Sequence, residues 1–233
     1  MNIRRKQALF LGIVGNVLYM IGDWLIDAFG PGNVDVGLLG ESNWVSMPMW
    51  RFDASLLLGA AASVLMIPAL REWMRIADEV KDPSSKMGLR MARLFKAGLW
   101  AALVSCFFIH SMCCLVGVIF KNIYAVYEDA SAAYAILDKI GGSFLVPFFL
   151  FYFFFELAVG IGYIYMVVKK RLALKWPALL CCSLCTLLIL ELLILSGKWL
   201  VHDIVTAGES FGWVLMMAMG ILHLQRTETN PAV

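Results

Sequence analysis

Nine ionisable side chains lie within or at the margins of long apolar runs in this 233-residue chain. They are Asp23, Asp27, Asp53, His110, Glu156, Glu191, His202, Asp203 and Glu209. A charge at the centre of a bilayer costs at least ~2.5–3.5 kcal/mol, so such groups turn towards a protein interior or a wet cavity. Imidazole and carboxyl groups are also the side chains suited to moving protons near neutral pH. His110 with Glu156 is the candidate acid–base pair. Asp23, Glu191, Asp203 and Glu209 are candidate ligand contacts, with Trp24 and Trp199 as apolar walls. No Lys or Arg lies at comparable depth, so these acids must be protonated, solvated or bound to a cation.

Each of these residues also has a plainer role open to it. Asp27, Asp53, His202 and Asp203 fall near the ends of their runs, where water reaches them. The deeper acids could serve as interhelical hydrogen bonds worth roughly 0.6–2 kcal/mol each. Metal chemistry is not expected. His202 and His223 are separated by about 31 Å along one helix, and no His pair closes a zinc site. Cys182 and Cys185 form a C-x-x-C, but beside Cys181 and Ser183 they read as small packing residues. No cofactor is expected.

The elements that must position these groups follow from composition. The chain is 61% hydrophobic and 15% charged, with mean hydropathy +0.80. A soluble domain carries about 25% charged residues, so a soluble enzyme, a disordered chain and a nucleic-acid binder are excluded. Six apolar stretches stand out, at about 7–29, 54–74, 97–121, 143–168, 176–197 and 200–224. Each holds the ~20 residues that a helix needs to cross ~30 Å of hydrocarbon. Continuous runs of this kind are helices, because a barrel would alternate. The predicted fold is an all-α, polytopic transmembrane bundle of about six spans, forming one integral membrane domain over 1–233. The first span is read as retained, because Gly22-Asp23-Trp24 stands where a small-residue cleavage site would follow.

Orientation follows from Lys and Arg, which gather in cytoplasmic connections. Fifteen of the 19 basic residues lie at the N-terminus, in the second and fourth connections and in the tail. Arg51, Lys121, Lys139 and Lys198 are on the other side. Both termini are expected in the cytoplasm. Residues 30–53 are expected to lie across the outer mouth, with Trp44 and Trp50 at headgroup depth. Residues 122–142 read as helical extensions that stop at Gly141-Gly142. At roughly 1.5 Å per residue, Asp23 lies about 24 Å, Glu191 about 22 Å and His110 about 20 Å up their spans. Acids and one imidazole thus converge on a similar outer level.

Gly22-Asp23-Trp24-Leu25, His110 with its aromatic-rich exit, Trp176-Pro177-Ala178-Leu179 and Glu209-Ser210-Phe211-Gly212 occur in this order. The order resembles an uncharacterised bacterial family of multi-pass membrane proteins. Ser111-Met112-Cys113 after His110 departs from the small-residue pattern of that family. The resemblance implies six spans and a bacterial cell membrane, and it implies no activity.

The expected function is an outward-facing, acid-lined intramembrane cavity for a small apolar or cationic ligand. A lipid- or sterol-like substrate handled by acid–base chemistry is one form of it. A cation- or proton-coupled carrier, and a non-catalytic sensor, immunity or assembly protein, are the alternatives. Membrane lipids and one small molecule are the expected partners, and nucleic acid is not.

Overall fold

The computed structural model describes residues 2–229. Seven α-helices are present among them: α1 (Asn2–Asp27), α2 (Trp50–Val80), α3 (Lys86–Tyr127), α4 (Ala130–Val168), α5 (Ser183–Ile194), α6 (Trp199–Val205) and α7 (Gly208–Thr229). A small hairpin, β1 (Asp35–Val36) with β2 (Gly40–Glu41), sits in the first connection, with Asp35 opposite Glu41. The fold is an all-α bundle. Residues 3–27, α2, α3 and α4 are each long and apolar enough to cross a membrane. α6 and α7, bent by 43° at their junction, qualify together as one more. The chain is a membrane protein.

The expected fifth span, 176–197, does not form one continuous helix. Trp176–Leu180 winds as a 3₁₀ turn with Pro177 in its first positions, and α5 follows after Cys182. The 12 residues of α5 rise about 18 Å, short of the ~30 Å of hydrocarbon. Gly197, at φ +68°, then turns the chain into α6 in a left-handed conformation that glycine adopts freely. Length and composition therefore give four or five crossing helices among the described residues, where the apolar runs predicted six.

α5 is held by close backbone approach to α7. A Cβ at Gly212 would lie 2.6 Å from the Cα of Ser183, a main-chain atom that cannot step aside. Gly212→Ala is expected to cost about 1–3 kcal/mol through overpacking. Thermal unfolding in detergent measures it. Gly142→Ala, where a Cβ meets nothing within 4 Å, should leave the midpoint unchanged or higher.

Each end of the bundle is tied by its own polar contacts. At one end Arg5 bonds Glu72 at 2.5 Å and Glu79 at 2.7 Å, and Lys6 pairs with Glu228. Arg171 pairs there with Asp82, joining the α2–α3 and α4–α5 connections. The Ser84 hydroxyl donates to Asp82, and with Arg171 alongside it holds the Asp82 carboxyl below the usual carboxylate range. This clasp stays ionised while pH falls through that range, and it loosens only below it.

At the opposite end, Arg51 donates to the carbonyls of Trp24, Leu25 and Ala28, capping the negative end of α1. Lys121 does the same for Trp44 and Val45. The hairpin docks on α4 through Tyr134 Oη to Glu41 O, at 2.8 Å, and Leu38 N to Asp138, also at 2.8 Å. Trp44 is buried against Phe52 and Phe120, whereas Trp50 is exposed. α4 does not stop at Gly141-Gly142 but starts at the Asp129 cap and runs through both glycines. The missing side chain at Gly141 admits Leu39 of the hairpin, so packing overrides the breaker.

Candidate functional site: an acid-lined cavity

A cavity of about 520 Å³ lies among α1, α3, α4, α5 and α7. That volume falls within the ~300–1,000 Å³ typical of small-molecule sites. Asp23, Asp27, Glu191 and Glu209 line it together with His110, and no Lys or Arg does. Asp23 and Asp27 are one helical turn apart and so share a face of α1. The opposite wall is aromatic, built from Phe148, Phe149, Tyr152, Phe153 and Phe155 on α4. Phe149, Phe153 and Leu188 are 44%, 53% and 58% exposed, so this wall reaches the lateral surface between α4 and α5.

The four acids divide into two kinds. Asp23 accepts from Ser210 Oγ at 2.8 Å and faces His110 Nδ1 at 3.3 Å. Glu209 accepts from Tyr152 Oη at 2.7 Å and abuts the Glu156 carboxyl. Asp27 and Glu191 are different, because neither receives a hydrogen bond from the described residues. Both line the cavity with their acceptors free, Asp27 half-buried and Glu191 exposed.

His110 sits where glycines make room for its ring. A Cβ at Gly22 would lie 2.9 Å from Cε1, and one at Gly59 would strike the ring itself. Its Nε2 lies 3.1 Å from both Ser55 Oγ and Ser55 O. Asp23, His110 and Ser55 thus align in the order of a hydrolytic triad, but the hydrogens run the wrong way. Ser55 Oγ already donates to Gly22 O at 2.8 Å, so His110 Nε2–H donates to Ser55. Ser55 is fully buried and stands off the cavity wall. The trio is a latch between α1, α2 and α3.

The sequence-predicted residues separate into those on the cavity and those off it. Asp23, His110, Glu191 and Glu209 line it. Glu156 does not pair with His110. It is 1% exposed behind the wall, accepting from Ser183 Oγ at 2.6 Å and Trp213 Nε1 at 3.1 Å. Asp203 accepts from the backbone N–H groups of Phe29 and Gly30, tying the first connection to α6. Trp24 follows Asp23 by one residue, about 100° around the helix, and so points away from the cavity. It donates to Ile204 O. Trp199 is half exposed on α6 and is not a wall.

Asp27, expected as a solvated end residue, is on the cavity instead, and its i, i+4 spacing from Asp23 was the available signal. Ser55, Ser183, Ser210 and Tyr152 were missed because hydroxyls in apolar runs carry no charge signal. Among the described residues no group of three or more His, Cys, Asp or Glu could hold a metal ion.

No curated protein and no solved structure matches the chain. A family model does match, over residues 1–227, and the protein belongs to the Family of unknown function (DUF6796).

Proposed function

We propose that this is a multi-pass protein of a bacterial cell membrane that binds a lipophilic organic cation, of alkylamine type, in the cavity. One observation carries the reading: Asp27 and Glu191 line the cavity without a protein hydrogen-bond donor, and no Lys or Arg shares its walls. An ammonium group supplies the missing donors and charge, and each charge-assisted hydrogen bond contributes about 1.5–3 kcal/mol. The aromatic wall of α4 covers the apolar part of the ligand and adds cation–π attraction where a ring faces the charge. Entry from lipid fits the exposed rings between α4 and α5. The basic end of the bundle is the cytoplasmic end in this account, which puts both termini in the cytoplasm and the acids towards the outer leaflet. Acid–base chemistry by His110 and Glu156 has no support, because the two residues have separate partners.

A long-chain alkylamine carrying a photoreactive diazirine on its tail tests the location. Its adducts are expected on the Phe148–Phe155 segment of α4 and on Leu187 or Leu188 of α5, and to vanish with excess unlabelled amine. Adducts spread over lipid-facing residues and insensitive to competitor would rule the site out.

A further inference from the structure

We propose that the basic end of the bundle holds one anionic phospholipid in a second, separate cavity. This site is independent of the acid-lined one. A groove of about 900 Å³ runs between the end of α4, the connection at 169–175 and the last turn of α7. Its floor is apolar, formed by Val167, Val168, Leu172 and Leu179. Its rim carries Lys170, Lys175 and Arg226, with no acidic residue among the lining groups.

Two features make this more than a solvated run of positive charge. First, the connection is anchored in a fixed shape. Ala173 N donates to His223 Nδ1 at 3.0 Å, and Arg226 donates to Ala173 O at 3.1 Å. Lys170 turns the chain at φ 53°, in the left-handed region that a lysine rarely adopts. Second, the basic groups are sorted. Arg171 is engaged by Asp82, and Arg226 by a carbonyl, whereas the Lys170 and Lys175 side chains make no hydrogen bond or ion pair among the described residues. Two free ammonium groups therefore border an apolar trough.

The chemistry of that arrangement is a phosphate diester between the lysines with an acyl chain along the trough. Basic pockets beside membrane helices recognise anionic headgroups in this way. Trp176, 75% exposed at the rim, is placed as an interfacial ring beside the chain. A free phosphate would satisfy the lysines but leave the trough uncovered, which is why the geometry favours a lipid.

Native mass spectrometry of the detergent-purified chain, incubated with equimolar phosphatidylglycerol and phosphatidylcholine, tests the site. The wild type is expected to retain phosphatidylglycerol preferentially. Lys170→Gln with Lys175→Gln should lower its retention about tenfold, at the level two surface cations contribute. Lys170→Arg with Lys175→Arg should keep it. Lys86→Gln with Arg90→Gln removes two exposed, unpaired charges from the same end and should also keep it. The proposal is overturned if the Gln pair binds like wild type, if the Arg pair loses the lipid, or if the Lys86/Arg90 variant loses as much. Displacement of phosphatidylglycerol by millimolar inorganic phosphate would overturn the assignment to a lipid.

Discussion

Glu156→Ala is expected to lower the stability of the bundle by about 2–4 kcal/mol, the largest loss from any single polar substitution in it. Glu156 is buried and holds three elements together. Ser183 at the start of α5, Trp213 of α7 and the carboxyl of Glu209 all meet it. Alanine leaves the Ser183 hydroxyl and the Trp213 indole N–H without an acceptor, and both residues are buried. Each bond in a membrane contributes about 0.6–1.7 kcal/mol, and two are lost together with the volume of the side chain. Glu156→Gln keeps one carbonyl oxygen and should cost about 1 kcal/mol. Unfolding in mixed micelles measures both variants. A Glu156→Ala protein within about 0.5 kcal/mol of wild type would show that the two donors find other partners.

The second large effect falls on binding. Asp27→Asn and Glu191→Gln should each weaken a lipophilic amine about tenfold to a hundredfold, because each removes a charge-assisted hydrogen bond of about 1.5–3 kcal/mol. Stability should be preserved, since neither carboxyl accepts a hydrogen bond from the described protein. Asp53→Asn is the matched comparison, an exposed acid of α2 off the cavity, and it should bind like wild type. Equal affinity in all three variants would mean that the free carboxyls are not ligand contacts. Glu156 thus supports the fold, whereas Asp27 and Glu191 are expected to act on the ligand.

How much of this was legible beforehand depends on which coordinate is asked for. Apolar runs place α1 to α4 well, because length and hydropathy are what crossing a membrane demands. They fail at 176–197, where the run is long enough but Pro177 and the break at Cys181–Cys182 leave only the short α5. Depth along a span was read for Asp23, His110 and Glu191, and the reading for Glu191 assumed a continuous helix from Trp176 that the chain does not form. The direction around the helix axis was not, since neighbours on other helices decide it. Glu156 lies at a suitable height yet turns to Ser183 and Trp213. Trp24 is adjacent to Asp23 in sequence but turned about 100° from it around the helix, and it is not among the lining residues. Asp27 could have been placed from its spacing alone, because residues four apart share a face.

The hydrogen-bonded latch at His110 follows the same logic. Gly22 and Gly59 are unremarkable in an apolar sequence, and only the packed structure shows that their missing side chains house the ring. Among the described residues the buried side-chain atoms left without a partner are Trp44 Nε1, Trp73 Nε1 and Ser111 Oγ, whereas half-buried Asp27 and exposed Glu191 line the cavity without protein donors.

If this cavity recognises positive charge on an apolar body, a matched pair of ligands separates charge from chain length. Titration of the purified protein with a long-chain alkylamine and with the alcohol of equal chain length compares molecules that differ chiefly in charge. The amine is expected to bind at least about tenfold more tightly, and Asp27→Asn with Glu191→Gln to remove the difference. Equal affinity for the two ligands, or a preference for the alcohol in the wild type, would contradict it.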